Sequence, residues 1–377
     1  MYKKYLNSPS VLIALGEALS KLATFIVIPV AGLILTTKDF NIWAIIFPSI
    51  QVLSTTVSFG LPTFLLRAYF TDGSNVKNVE KQTFISFYAI FFLASIIFFI
   101  ISFFSKNNLF LRLDFFLIVM TNSFLLIIQQ KYQAEKRGIA YLAQSLIWRN
   151  LLGLILLGLV ILRIETSLDF LLHLLLLIQT VLVFFTFYKE HMSIPDKIEK
   201  DILVEIIKFG FPLFLIGILQ FIVSINSRFL LYNKGVEADT AIFSIIQTFV
   251  SALNLLFVIF VRIYVPKLFC ILNGTESIET AYQYKRIVAP LFEIFSISII
   301  IALFGYSFFY QVDIEEKIFL LAPILIIGQF FYGMQIYVVD SMVYMGKTFH
   351  LLILNVIITL ISTLLGFILV KRYGMFG

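Results

Sequence analysis

Charged side chains inside long apolar segments are the residues of this sequence that could carry chemistry. Lys21 lies near the middle of the first apolar segment, and Glu17 precedes it by four residues. A charge at the centre of a membrane helix costs about 2.5–3.5 kcal/mol on insertion scales, so such residues are functional candidates by default. The spacing predicts a cation that faces a polar cavity beside its counter-ion, or alternatively a pair that merely neutralises itself.

A second charge of this kind is Arg149, which lies near the midpoint of another apolar segment between Trp148 and Asn150. The planar guanidinium suits phosphate oxygens, so one interpretation is a binding cation in a cavity. The alternative is a structural arginine bonded to carbonyls of neighbouring helices. If both cations face the same space, Lys21 and Arg149 predict a passage at mid-depth that accepts an anionic group.

Four further charged residues lie close to the ends of apolar segments. Arg67 and Arg228 are candidate binding cations, although snorkelling to the membrane interface also explains an arginine at such a position. Glu293 and Asp340, together with Glu17, are candidates for ion or proton coupling. Capping or pairing near the interface is the alternative for Glu293 and Asp340.

The remaining residue types do not indicate an enzyme. The three histidines and the one cysteine show no metal-ligand spacing. No phosphate-binding loop, dinucleotide-binding glycine motif, metalloprotease motif or nucleophile elbow occurs. We therefore expect no catalytic residue, no metal and no cofactor, and we expect any energy for work to come from a gradient.

Composition determines the class of protein that must position these charges. Of the 377 residues, 60% are hydrophobic and only 13% are charged, against about 25% charged in a soluble domain. So much apolar surface must face lipid. The net charge of +6 is better explained by basic loops beside anionic lipid than by nucleic acid.

Eleven apolar segments are long enough to span a membrane, which takes about 20 residues. More Lys and Arg residues lie in the loops that share the side of the N-terminus, so we expect a multi-pass protein with a cytoplasmic N-terminus. The sequence predicts an all-α fold with about 11–12 transmembrane helices. The predicted spans are 11–35, 43–66, 83–104, 113–130, 139–162, 168–188, 209–230, 241–261, 287–309, 319–343 and 349–370.

A faint internal repeat predicts two pseudo-symmetric six-helix halves. We expect an N-terminal bundle over 1–188, a cytoplasmic connector over 189–208, and a C-terminal bundle over 209–377 that is short of its last helix. Within the connector, Asp201–Lys208 alternates charged and apolar residues at helical spacing, which predicts that it lies along the membrane interface.

Several loose motifs recur along the chain. They are Lys21-Leu22 to Ile28-Pro29, Trp43-Ala44-Ile45-Ile46, Ser58-Phe59-Gly60-Leu61-Pro62, Gln133-Ala134-Glu135-Lys136-Arg137, Lys208-Phe209-Gly210-Phe211-Pro212-Leu213 and Ser227-Arg228-Phe229. Together they resemble the bacterial polysaccharide repeat-unit (O-antigen) flippases of the multidrug/oligosaccharidyl-lipid/polysaccharide exporter superfamily. The resemblance extends over nearly the whole chain, with Ser227 and Ala241 departing from the usual pattern and a twelfth helix missing.

This resemblance implies a function and partners. It implies a flippase that moves an undecaprenyl-diphosphate-linked oligosaccharide from the cytoplasmic to the periplasmic leaflet of the bacterial inner membrane by alternating access. Membrane lipid and other membrane proteins of polysaccharide assembly would be partners, and nucleic acid would not. Two alternatives stay open: a multidrug antiporter of the same superfamily, and a membrane polysaccharide polymerase.

Overall fold

A computed structural model of the chain describes residues 9–71, 76–104, 112–190, 199–233, 237–253, 257, 292–305, 315–345 and 347–373. Within these ranges, every regular element is a helix. We number the helices in chain order. They are α1 (Pro9–Ile34), α2 (Thr37–Val57), α3 (Leu61–Thr71), α4 (Val76–Phe104), α5 (Leu113–Ala134), α6 (Gly138–Ser145), α7 (Leu151–Ile161), α8 (Leu168–Glu190), α9 (Lys200–Asn233), α10 (Glu237–Ser251), α11 (Phe292–Gly305), α12 (Glu315–Tyr344) and α13 (Thr348–Tyr373), with a π-helical segment Leu146–Asn150 joining α6 to α7.

These helices confirm the predicted all-α, multi-span architecture. Each of the eleven predicted spans overlaps a helix. Among the residues searched, 7 helices are long and apolar enough to cross a membrane. Large apolar side chains such as Phe92, Phe184 and Phe331 are exposed on the helix surfaces, as expected for groups that face lipid.

The second predicted span, 43–66, is divided between two helices. It begins earlier, at Thr37, where the Thr36 hydroxyl accepts a hydrogen bond from the Asp39 N–H and so caps the helix. The helix ends at Val57 because Phe59 and Gly60 both have positive φ, 53° and 67°. A new helix, α3, then begins at Leu61. Its second residue is Pro62, a residue that the first turn of a helix tolerates.

The position of Asp201–Lys208 along the membrane interface stays a prediction. In the structure these residues begin α9, a helix of 34 residues. At 1.5 Å per residue such a helix is about 50 Å long, well beyond the roughly 30 Å of hydrocarbon. The charged first turns of α9 therefore extend out of the apolar region on the side where α9 begins.

Buried apolar side chains form two layers, one toward each end of the bundle. We call the side on which α1 begins the N-side. The N-side layer joins the first turns of α1 and α9 with α3 and the end of α5, through residues such as Ile13, Leu65, Ile128 and Phe209. The far layer joins the outer parts of α1, α2, α5 and α8 with α10 and α11. Both layers contain side chains from both predicted halves.

Helix pairing repeats along the chain. In the first half α1 packs against α6 and α7, the predicted fifth span, and α2 packs against α5. In the second half α9 packs against α13, and α10 packs against α12. Each pair therefore recurs six spans later, which is the relation that two pseudo-symmetric halves require.

The first of these pairs depends on glycine. A Cβ atom at Gly16 of α1 would lie 2.9 Å from Tyr141 Cδ1 and 3.2 Å from Leu142 Cα. A Cβ atom at Gly138 would lie 2.9 Å from the Pro9 carbonyl oxygen. Membrane helices use small residues in this way to bring their backbones together.

We expect Gly16→Val to destabilise the protein by about 1–3 kcal/mol, the usual cost of overpacking a tight contact. The matched control is Gly158→Val, since no atom lies within 4 Å of a Cβ atom at Gly158. Thermal unfolding of the purified protein in detergent measures both. A lower midpoint for Gly16→Val alone is the expected result, and equal midpoints for the two variants would contradict the close helix contact.

Candidate functional site

The predicted site residues are described to different extents. Lys21 lies in α1, Arg149 in the π-helical segment, Arg228 in α9 and Asp340 in α12, but their side chains lie outside the described residues. Their predicted roles therefore stay predictions. The side chains of Glu17, Arg67 and Glu293 are described, and the structure places these three in different surroundings.

Glu17 lies inside the contact between α1 and α6. Its side chain is 7% exposed, and its carboxylate accepts a hydrogen bond of 2.5 Å from the Tyr141 hydroxyl. The tight approach at Gly16 brings the two helices close enough for this bond. A buried carboxylate must be hydrogen-bonded, paired or neutralised, because leaving its charge unsolvated costs several kcal/mol.

Polar side chains continue from Glu17 along the interior of the first half. Gln129 of α5 donates to the Ser145 hydroxyl at 2.9 Å, and Gln144 donates to the Leu125 carbonyl at 3.0 Å. Asn122 of α5 lies two turns before Gln129 and is fully buried. Neither atom of its side-chain amide has a hydrogen-bond partner within the described part of the chain. The first half thus contains a buried strip of polar groups.

The π-helical segment lies at this strip. Asn150 donates its side-chain amide to the Ser145 carbonyl at 3.3 Å, which satisfies a group at the start of the irregular turn. Short π-helical turns inside α-helices are frequent at functional sites. The segment contains Arg149, and its neighbour Trp148 is buried.

Helix register relates the two predicted mid-depth cations. Tyr141 lies beside Glu17, and α1 and α6 run in the same direction from the N-side. Lys21 and Ser145 each follow this contact by four residues, so they lie at the same level along the helix axes. Arg149 lies about one turn farther from the N-side. The backbone thus places both residues on adjoining helices at similar depth, next to the polar strip.

Arg67 and Glu293 lie away from this strip. Arg67 of α3 is 3.8 Å from a carboxylate oxygen of Glu205 on α9, and its guanidinium lies 5.5 Å from the centre of the Phe209 ring. Arg67 therefore lies at the contact between the halves on the N-side. Glu293 is exposed on the surface of α11, and no shared site with Glu17 is seen in the described residues.

A charged network on the N-side was not predicted. The Lys131 ammonium lies 2.7 Å from Glu80 and 2.8 Å from Glu190. Arg137 lies 3.0 Å from Glu190 and 3.1 Å from Glu135. Lys131 and Glu190 are both nearly buried, with 7% and 5% of their side chains exposed. The network fixes the N-side ends of α4, α5 and α8 to one another.

Two tyrosines complete the network. The Tyr69 hydroxyl lies 3.3 Å from carboxylate oxygens of both Glu80 and Glu135. Burial and these two carboxylates raise the pKa of Tyr69, so its hydroxyl remains a donor at neutral pH. Tyr132 donates to Glu190 at 3.1 Å, and the Arg137 guanidinium lies 4.7 Å from the centre of the Tyr132 ring.

Two residues of this network, Glu135 and Arg137, belong to the Gln133–Arg137 motif of the sequence. Its partners Glu80 and Glu190 come from other spans, and a single sequence does not show which distant charges meet. No cluster of His, Cys, Asp or Glu suited to a metal ion occurs among the described residues.

Comparison with solved structures shows which fold this is. The chain is similar to a multidrug-resistance MATE family transporter of the MOP superfamily in an outward-facing conformation, with TM-score 0.61, 16% identity, and coverage of 98% of this chain and 91% of that chain. It is similar to the MATE multidrug transporter DinF-BH, with TM-score 0.60, 16% identity, and coverage of 99% and 96%. The fold is therefore that of the MATE transporters, built from two halves.

A third similar structure is a MOP superfamily transporter from Pyrococcus furiosus, with TM-score 0.58, 14% identity, and coverage of 98% and 90%. That protein is described as having a binding pocket of reverse polarity that suggests a different function. No protein-family model and no curated protein matches this sequence.

We expect Lys131→Met to destabilise the first half by about 3 kcal/mol, because two carboxylates then lose the cation between them. The matched control is Lys136→Met, since Lys136 is an exposed residue of the adjacent turn. Thermal unfolding and the yield of folded protein in the membrane measure the effect. If both variants unfold at the same temperature as the unmodified protein, the network does not stabilise the bundle.

Proposed function

We propose that this chain is an ion-coupled transporter that moves its substrate across a bacterial inner membrane by alternating access between its two halves. The observation that carries the proposal is Glu17, a carboxylate buried within the predicted first span and hydrogen-bonded by Tyr141. The fold supports it, because the similar solved structures named above are transporters. A cytoplasmic N-terminus, as the basic loops predict, is part of the proposal.

The coupling role of Glu17 follows from its position. A carboxylate in a low-dielectric contact is charged or neutral according to whether it holds a proton or faces a cation. Each state favours a different arrangement of the groups around it, and the Tyr141 hydroxyl is one such group. Binding and release of an ion at Glu17 would thus shift the contact between α1 and α6, and with it the conformational equilibrium.

For the substrate, the comparisons favour the antiporter over the flippase. The neighbours named as multidrug transporters have the same fold over nearly their whole length. Organic cations are attracted by carboxylates and aromatic rings, and the sequence is 16% aromatic. We therefore propose export of amphiphilic organic compounds in exchange for an ion as the main function.

The lipid-linked oligosaccharide flippase is the second candidate, and one observation favours it. Helix register supports similar depths for Lys21 and Arg149, beside the strip that contains Gln129 and the Asn122 amide, which has no hydrogen-bond partner among the described residues. A diphosphate headgroup requires cations in such a place. Because one neighbour is described as having reverse pocket polarity, the fold does not determine the charge of the substrate.

The third alternative, a membrane polysaccharide polymerase, has the least support. The similar structures described above are transporters. We therefore do not propose an enzymatic activity.

Replacing Glu17 with Gln tests the coupling. Gradient-driven transport of a fluorescent organic cation in proteoliposomes should fall by about tenfold or more, since a hydrogen bond to a charged group contributes about 1.5–3 kcal/mol. The control is Glu165→Gln, an exposed loop residue, which should transport at the unmodified rate. Undiminished gradient-driven transport by correctly folded Glu17→Gln protein would refute the coupling role.

The substrate is tested by the double variant K21A/R149A. If the flippase is correct, a host that depends on this protein loses its surface polysaccharide while the variant protein stays in the membrane, because the diphosphate loses its cations. The control is K136A/R163A, which removes two exposed cations. Normal polysaccharide in the first variant, together with lost drug resistance in Glu17→Gln, would leave the antiporter as the function.

A further inference from the structure

The two halves touch along a continuous N-side seam, formed by α9 on one side and by the end of α2, the bend after it and α3 on the other. Glycines of α9 permit this contact. A Cβ atom at Gly217 would overlap the Thr56 side chain, and one at Gly210 would overlap the Phe59 carbonyl oxygen. The positive φ of Phe59 and Gly60 turns the chain here, so the bend itself packs against α9.

Aromatic rings occupy the seam beside the glycines. The Phe59 ring lies 5.6 Å from that of Phe214, and the Phe64 ring lies 5.7 Å from that of Phe209, measured between ring centres. Such pairs contribute about 0.5–1.5 kcal/mol beyond the area they bury. Both aromatic pairs join one half to the other, so both contacts are lost together if the halves rotate apart.

Polar groups close the N-side end of the seam. Arg67 faces Glu205 at 3.8 Å and lies over the Phe209 ring. Just before the first residue of α9, Glu199 accepts a hydrogen bond from the Asn78 side-chain amide. The side chains of Arg67 and Glu205 are 30% and 53% exposed. Exposed ion pairs are weak, so this pair can break and re-form as a moving contact must.

From this arrangement we infer that Arg67, Glu205 and Phe209 form a latch that holds the two halves together on the N-side. When the latch is closed, the seam blocks access from the N-side, and when it opens the space between α2 and α9 becomes accessible. The inference rests on the proposed alternating access. It gives Arg67 a role in setting the conformational equilibrium rather than in binding substrate.

The latch is tested by cysteine accessibility. In a C270A background, Thr56→Cys places a thiol on α2 where it faces α9, a position that is 3% exposed. Purified protein in lipid nanodiscs is treated with a membrane-impermeant maleimide, and the rate of labelling is followed by mass spectrometry. Adding R67A should raise the rate by about twofold to fivefold, as expected for loss of one exposed ion pair and its cation–π contact.

Two variants control this test. R163A removes an exposed arginine elsewhere and should leave the labelling rate unchanged. The exchanged pair R67E/E205R restores the attraction and should return the rate to within about twofold of the starting protein. A rate that R67A does not raise, or that the exchanged pair does not lower again, overturns the latch.

Failure of the latch is distinguishable from failure of the proposed function. Labelling in nanodiscs requires neither a transported compound nor a gradient, so it reports on the seam alone. If labelling responds as expected and Glu17→Gln transports normally, the latch stands and the ion coupling does not. If labelling does not respond and Glu17→Gln loses transport, the reverse holds.

Discussion

The hydrogen bond between Tyr141 and Glu17 is the interaction on which the proposed mechanism depends. It exists because Gly16 lets α1 approach α6 without a Cβ atom in the way. The same approach sets the register that places Lys21 level with Ser145, and Arg149 about one turn beyond. A single close helix contact thus positions the buried carboxylate, the polar strip and the two predicted cations relative to one another.

On the N-side, the ionic contacts within the first half differ from the ionic contact between the two halves. Within the first half, Lys131 and Arg137 bind three carboxylates in a largely buried network, which favours movement of that half as one rigid body. Between the halves, the described ionic contact is the longer and more exposed pair of Arg67 and Glu205. Alternating access needs this distribution of ion pairs, strong inside a half and weak between the halves. The contact between the halves must open while each half keeps its shape.

The sequence predicted the class of fold well, because lipid imposes a length and a composition on every spanning helix. A charge within an apolar span stands out, which made Glu17 a candidate, and its coupling role stays a prediction. The sequence did not predict the break at Phe59 and Gly60, where apolar residues continue through a turn. It did not show that Asp201–Lys208 begins α9, because a run of charged residues does not reveal that a helix starts before the apolar segment. The partners of Lys131 and Arg67 come from distant spans and required the structure.

The protonation of Glu17 is the most direct test of the coupling mechanism. Infrared difference spectroscopy of the protein in lipid membranes reports protonated carboxyl groups as the pH is lowered. We expect a band from a protonated carboxyl group in the unmodified protein that is missing from Glu17→Gln. A spectrum that Glu17→Gln leaves unchanged would show that the buried carboxylate does not exchange a proton, and would contradict proton coupling at this site.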